Sequence, residues 1–399
     1  MNGNESIEES KLRERVRQWL IDHVPLADPV ALEEKRDWHK KLYNAGMVGM
    51  TWPLEFGGQG AGPMVQAIVS SELALANAPN PINQAGLEIA GPSLMHYGSD
   101  RQKARYLRPI LEGTELWCQL YSEPNAGSDL ASLKTSAVRD GDSYVVNGQK
   151  VWISEGPWSD YGVLLARTDR TAPKHKGISC FLVDMRSPGL EVRPLKQITG
   201  SSHFSEVFLT DVRVPSENLI GSENDGWKVA MAALAFERGG NSLARIMRYQ
   251  MAFRKLTITL SKLEDPNGKP LIEDIGTRRK LGATWAEIEV QRVTALRLLS
   301  MAESGQDLSG LPSAHKLSYS EFERRYMDLA QELLGPWGRL TDGQQLNELM
   351  VGTSSAEPGT WAHSTLWARA VTIFAGTSEI QRNIIADRVL RMPREPRTS

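Results

Sequence analysis

The sequence predicts an α+β protein that is mostly α: an N-terminal helical domain over 1–117, a middle antiparallel β domain over 118–222 and a C-terminal four-helix bundle over 223–399. Three observations predict it. Apolar residues recur at helical spacing up to about 117. The period then shortens to strand-like runs rich in β-branched and aromatic residues, and after about 223 helical spacing returns over longer stretches.

In the first region Leu12, Val16, Trp19 and Leu20 fall on one helix face whose other side is Arg, Glu and Lys, and Pro25 and Pro29 end that helix. A second amphipathic segment around Trp38–Ala45 stops at Gly46. The glycine- and proline-rich WPLEFGGQGAGP is a loop, and helices are expected at Met64–Ala76, Gln84–Tyr97 and Arg101–Leu111.

In the middle region YGVLLAR, GISCFLVDM, GLEVRPL and EVFLTDVRV are strands separated by Gly, Pro and Asp turns. Asp140-Gly141-Asp142 turns the chain, and Asn147-Gly148 is expected to turn it again. Lys174, His175 and Lys176 read as a solvated loop between strands. In the last region Leu281, Trp285, Ile288, Leu296 and Leu299 form one stripe, and Leu317, Phe322, Met327 and Leu333 another. Long apolar-faced helices of this kind suit a four-helix bundle.

Composition narrows the function classes. With 46 basic and 48 acidic residues, net charge −2, nothing favours nucleic acid or an anionic membrane as partner. No apolar run approaches the ~18 residues that span a bilayer, and the charged start is unlike a signal peptide. Two cysteines make no disulfide scaffold, and the seven histidines show no paired-ligand spacing. A cytosolic, metal-free protein is the expectation.

The stretch from Tyr121 to Ser154 draws attention. Pro124, Asn125 and Gly127 break regular structure and free backbone N–H groups for a ligand, and Ser122 and Ser128 add hydroxyls. Ser128 also reads as a helix N-cap ahead of DLASL. Trp152 is either a core strand aromatic or a platform for a flat ligand.

This segment resembles the flavin-binding signature of the acyl-CoA dehydrogenase family. PSENLIGSENDGWKVA at Pro215–Ala230, FAGTSEIQRNIIADRVLRMPRE at Phe374–Glu395 and, less specifically, WPLEFGG at Trp52–Gly58 match the same family in order. The resemblance implies FAD bound between the β domain and the bundle. It further implies an acyl-CoA substrate oxidised to the 2,3-enoyl-CoA, electrons passed to an electron-transferring flavoprotein, and dimers or tetramers built through the bundles. Tyr121, Ser122, Gly127 and Ser128 would line the flavin and the start of the CoA arm. Trp152 and Ser154 would meet the isoalloxazine, with Thr377 and Glu379 as further neighbours. Fatty acid metabolism by β-oxidation is the implied setting.

The implied base is unusual. Many members carry Glu immediately before the Gly-Thr of the last motif, where this chain has Ala375. Others place Glu before Arg on the helix after the DGW motif, and this chain has Glu237-Arg238 there. Glu237 is therefore the expected base, with Ser128, Arg238 and the Ala375 amide as substrate contacts. Surface pairing on a helix is the plain alternative for Glu237. The segment with which many members reach a neighbour's FAD pyrophosphate has no match between Phe253 and Gly282, where KLEDPNGKPLIEDIG stands. After LLGPWGRL comes a polar insert reaching Thr360. Two other functions stay open: a base-deficient subunit of a heteromeric dehydrogenase, and a flavin oxidase or monooxygenase of the same fold.

Overall fold

Helices flank a middle sheet along the chain. The computed structural model describes residues 6–26, 29, 31–237, 242–308, 310–340, 350–351 and 359–393. Helices α1 (Ile7–His23), α2 (Leu32–Asn44), α3 (Pro63–Leu75), α4 (Gly91–Tyr97) and α5 (Asp100–Glu112) come first. Strands β1 (Trp117–Leu120), β2 (Ser136–Asp140), β3 (Ser143–Ser154) and β4 (Tyr161–Arg167) follow. The sheet is completed by β5 (Ile178–Asp184), β6 (Leu190–Leu195), β7 (Phe204–Pro215) and β8 (Leu219–Ile220). Then come α6 (Gly226–Glu237), α7 (Ser242–Lys262), α8 (Ile275–Glu303) and α9 (Leu311–Leu334). A ribbon of β9 (Met350–Val351) and β10 (Gly359–Thr360) leads into α10 (Trp361–Val371) and α11 (Ser378–Ile384).

The chain forms two compact units. A helical unit gathers Met1–Leu26, Pro63–Ala78 and Gly239–Ser399, and a sheet unit gathers Ala27–Gly62 and Pro79–Arg238. In the helical unit the apolar stripes of α7, α8, α9 and α10 meet, α7 on α8, α8 on α9 and α9 on α10. Leu281, Ile288, Leu299, Phe322 and Met327 are buried there, as their helical spacing requires. Although α3 precedes the sheet in sequence, its Ala67 enters this core. Arg13 and Arg17 tie α1 to the Glu72 carboxylate of α3 at 2.6 and 3.1 Å. Glu72 is only 2% exposed, so this carboxylate depends on its two cations.

In the sheet unit the strand order is β6-β7-β3-β2-β4-β5-β8, with β1 added beside β4. Pairing is mainly antiparallel, as expected, but β1 lies parallel to β4 and β2 meets β4 in parallel at Ser136 and Arg167. A parallel pair needs a long connection, and the chain between β1 and β4 supplies it. Tyr144, Val146, Phe181 and Val207 form the heart of this core.

The expected second turn at Asn147-Gly148 is absent. β3 is one strand of 12 residues whose register against β7 shifts between Val146 and Gly148. Asn147 side-chain atoms pair with Asp211, both contacts at 2.9 Å, in place of turn hydrogen bonds. Among the described residues no helix is long and apolar enough to cross a membrane.

Candidate functional site

A second irregularity in β3 sets up the candidate site of the sheet unit. Register against β7 runs from Lys150 opposite Val207 to Ile153 opposite Ser205, so the chain bulges in between. Trp152 occupies the bulge at φ +62°, a left-handed conformation that costs a bulky residue energy. Its indole is 62% exposed, which removes the core reading. Phe204 meets the ring edge-on at 6.0 Å between centroids. Ser154, two residues on, is exposed as well.

The Tyr121 loop runs directly beside this bulge. Val151 N donates to Ser122 O at 2.9 Å, and Lys150 Nζ donates to Tyr121 O at 3.1 Å. The Tyr121 side chain is buried, so the loop offers its polar groups from Ser122 onward. The amides of Gly127 and Ser128 donate to no protein group among the described residues. A Cβ added at Gly127 would meet nothing within 4 Å, so the backbone there is open to approach. The helix expected from Ser128 is a short 3-10 turn, Leu130–Ser132, preceded by Asp129 and capped by no side chain. Ser128 is therefore not a cap. Its hydroxyl and that of Ser122 have no protein partner among the described residues.

What holds the loop was not foreseen. Lys150 is fully buried and donates to Glu123 at 2.9 Å; Glu123 also accepts from the amides of Lys134 and Thr135 at 2.7 and 2.9 Å. Burial is the strongest influence on Lys150 and, against the pull of Glu123, pushes its ammonium down to about 8. Burial alone would raise Glu123, but Lys150, Thr135 and the Lys134 amide together hold its carboxyl below the usual range. Both groups are charged at neutral pH, and the pair pins the loop to β3. The sequence signal was a basic residue amid apolar strand positions in KVWIS. A cleft of about 250 Å³ opens beside it, lined by Glu123, Asn125, Lys134, Thr135 and Gln149 among others.

The helical unit holds the other expected residues. Ala375 is at φ +53° and Gly376 at φ +89°, so two residues in succession take the left-handed conformation before α11. Their carbonyls both accept from Gln381 Nε2 at 3.2 Å. The Ala375 and Gly376 amides donate to no protein acceptor among the described residues, a backbone arrangement that suits a partly negative oxygen. Thr377 caps α11 by accepting from Ile380 N at 3.1 Å. Its own backbone amide and the Thr377 hydroxyl hold the exposed Glu379 carboxyl below the usual range. Thr377 and Glu379 line a cavity of about 490 Å³ with Glu321, Arg324, Thr372 and Arg382.

Glu237 is the last residue of α6, and its side chain lies outside the described part of the structure. Arg238 and the Gly239-Gly240 pair after it also lie outside the described residues, as does most of the polar insert before Thr360. The basic triplet is an exposed turn between strands, as expected. Lys174 pairs with Asp129 at 2.8 Å, and the His175 ring stands 4.9 Å from that of Trp227.

The residues present fit FAD. An exposed indole in a strand bulge gives an aromatic face, with the exposed Ser154 two residues on along β3 and the Ser122 backbone bonded to Val151 beside it. Open amides at Gly127 and Ser128 suit negatively charged oxygens.

Comparison with known proteins accounts for the whole chain. The sequence model of the acyl-CoA dehydrogenase N-terminal domain matches residues 6–114, that of the middle domain 118–212 and that of the C-terminal domain 224–390. Acyl-CoA dehydrogenase IpdE1 of Mycolicibacterium smegmatis is 38% identical over 411 residues, covering 98% of this chain and 99% of its own. Among solved structures, the ChsE4-ChsE5 complex from Mycobacterium tuberculosis contains a chain 31% identical with a TM-score of 0.85, covering 99% of this chain and 100% of its own. A chain of the Tcur3481-Tcur3483 steroid ACAD is 29% identical with the same TM-score of 0.85, covering 99% of this chain and 100% of its own. With every domain matched in order and relatives alike from end to end, the chain belongs to the acyl-CoA dehydrogenase family of oxidoreductases.

Proposed function

We propose that the protein is an FAD-dependent acyl-CoA dehydrogenase that oxidises a bulky, cyclic acyl-CoA thioester to the 2,3-enoyl-CoA and passes its electrons to an electron-transferring flavoprotein. One observation carries this reading furthest: the exposed Trp152 bulge, braced against the serine loop by the Val151–Ser122 and Lys150–Tyr121 contacts. Trp152 and Ser154 would hold the isoalloxazine, with Tyr121, Ser122, Gly127 and Ser128 along the cofactor and the start of the CoA arm. Thr377 and Glu379 are its further neighbours in this reading. FAD, when bound, supplies the acceptor for the β-hydrogen as hydride.

The chain's own residues handle the proton and the carbonyl. Glu237 takes the α-proton, since the alanine at 375 has no group to do so. The Ala375 amide donates to the thioester oxygen and stabilises the negative charge that grows there. Its left-handed backbone and its lack of a protein acceptor among the described residues support that role. Ser128 and Arg238 contact the CoA thioester. A cyclic acyl group is supported by the likeness to a chain of a complex named as a steroid ACAD.

A second reading, a base-deficient subunit in a heteromer, is favoured by Ala375 and by the similarity to chains of complexes with two differently named components. Anaerobic mixing with a panel of acyl-CoAs separates the two. The purified yellow protein should bleach with cyclic acyl-CoAs. Glu237→Gln should still bind them and perturb the flavin spectrum, yet reduce its flavin on the order of 10²–10⁴ more slowly. Wild-type reduction by that variant removes Glu237 from the mechanism. Bleaching only after a second chain is added favours the heteromer.

A further inference from the structure

The WPLEFGG motif has a partner among the helices of the sheet unit. The helix expected over Gln84–Tyr97 contains a π turn, Gly86–Ala90, directly before α4. Pro92 is the physical reason: it has no N–H for the Glu88 carbonyl, and in an α-helix its ring would crowd that carbonyl. The chain widens instead, and Gly91 N donates to Gly86 O. This leaves the Leu87 carbonyl without a helical donor. An α-helix would give it the Gly91 N–H, which is spent on Gly86, and a π turn would give it that of residue 92, a proline.

Trp52 closes the gap. Its Nε1 donates to Leu87 O at 3.3 Å, and the residue is only 2% exposed. The indole lies so near Gly91 that a Cβ there would come within 2.1 Å of it. The loop in turn folds over Trp52. Gly60 N donates to Trp52 O at 2.8 Å, and a Cβ at Gly58 would sit 2.2 Å from the same oxygen. The motif thus holds one indole against one orphaned carbonyl, a group that native folds rarely leave unpaired.

The π turn also packs on α6, as α4 does. Tyr97, the last residue of α4, lies at the start of α6: Gly221 N donates to Tyr97 O at 3.1 Å, and the Lys228 ammonium stands 5.7 Å from the centre of the Tyr97 ring. Because the π turn precedes α4, it meets α6 beyond that first turn, towards Glu237 at the helix end. All of these elements belong to the sheet unit.

We propose that Trp52 is a positioning residue for Glu237, acting through the π turn and the end of α6. This rests on the reading of Glu237 as the base. Without the indole N–H the Leu87 carbonyl loses its partner, the π turn shifts, and the end of α6 shifts with it. A base tolerates little displacement, since about 1 Å can cost on the order of 10²-fold in rate.

The test compares flavin-loaded wild type, Trp52→Phe, Glu237→Gln and the double variant, by anaerobic stopped-flow reduction with cyclohexanecarbonyl-CoA and by amide hydrogen exchange. Trp52→Phe should reduce its flavin on the order of 10–100-fold more slowly. It should bind cyclohex-1-enecarbonyl-CoA, which cannot reduce the flavin, within about threefold of wild type, and exchange the amides of the last turn of α6 about tenfold faster. In the Glu237→Gln background the same change should cost less than about threefold, because the group it positions is already gone. An equal loss in both backgrounds overturns the proposal, as does wild-type reduction by Trp52→Phe. Faster exchange spread evenly through the sheet unit shows a merely structural role and overturns it too. If Trp52→Phe does not fold, 3-benzothienylalanine at position 52, which replaces the N–H by sulfur and keeps the ring shape, carries the same tests. Wild type left unreduced by every acyl-CoA of the panel sinks the dehydrogenase reading instead, and exchange alone then decides. Faster exchange confined to the π turn and the end of α6 upholds the coupling, and unchanged exchange there overturns it.

Discussion

Trp152 and Ala375 are both non-glycine residues at positive φ, +62° and +53°, and both are exposed, yet they are held by opposite means. Around Trp152 the backbone is fixed on three sides. β7 pairs with β3 before and after the bulge, Ser122 accepts from Val151, and buried Lys150 locks the strand to the Glu123 loop. Around Ala375 the support is thin: one Gln381 amide group bonds both carbonyls, and Thr377 caps a helix of 7 residues. Strained backbone persists only where its surroundings over-determine it. The sheet kink is therefore the rigid half of the candidate machinery, and the kink before α11 the one that a single side chain can release.

The largest effect should come from removing the brace of the sheet kink. Lys150→Met leaves Glu123 buried and uncompensated and should destabilise the sheet unit by about 3–5 kcal/mol in urea unfolding. A loss below about 1 kcal/mol would show that the loop does not depend on the pair. The pH dependence sharpens this. Lys150 titrates near 10.5 when unfolded and at about 8 in the fold, so between those values the unfolded chain holds more protons and stability rises with pH. Glu123 is held below its ordinary 4.5, so its contribution is present above 4.5 and is lost as pH falls through the folded value. The gap between wild type and Lys150→Met should thus widen from pH 8 to 10.5 and narrow in acid.

Next comes the thinly held kink. In Gly376→Ala the new Cβ would sit 2.5 Å from Gln381 Nε2 at a φ of +89°, displacing the one group that holds both carbonyls. A loss of about 1–2 kcal/mol is expected, with thermal unfolding as the readout. Trp152→Ala should leave thermal stability of the cofactor-free protein nearly unchanged, because the ring is exposed, while weakening FAD retention by roughly 0.5–1.5 kcal/mol. Flavin affinity equal to wild type would separate Trp152 from the cofactor. The smallest effect is a gain: Ala375→Gly relieves a left-handed alanine and should stabilise by about 0.5–1 kcal/mol. If the same change at the two kinks gave the same sign and size, the contrast between rigid and thinly held halves would fail.

Local signals were legible wherever one segment decides its own conformation. Pro25 marks the end of α1, which stops at His23, and Asp140-Gly141-Asp142 is the β2–β3 hairpin. KLEDPNGKPLIEDIG joins α7 to α8 as a connection, with Asp274 capping α8 through Thr277 N at 2.7 Å. Asn147-Gly148 misled because its turn chemistry is real, but β7 offers Asp211 to the Asn147 amide and the strand continues. Ser128 misled for a related reason: the cap signature is present without enough helix behind it to cap.

By itself the sequence determined the class, the order of helices and strands, and the segments that carry the family's motifs, because periodicity and turn residues act within a few positions of one another. Only the tertiary structure decided that Trp152 faces outward, that α3 enters the core of the helical unit, and that Lys150 meets Glu123. It alone brought Arg245 of α7 within 3.2 Å of the buried Glu323 of α9, 78 positions away in the chain. Each of these depends on residues far apart in the chain, whose pairing is settled by what packing buries and which polar groups burial forces together.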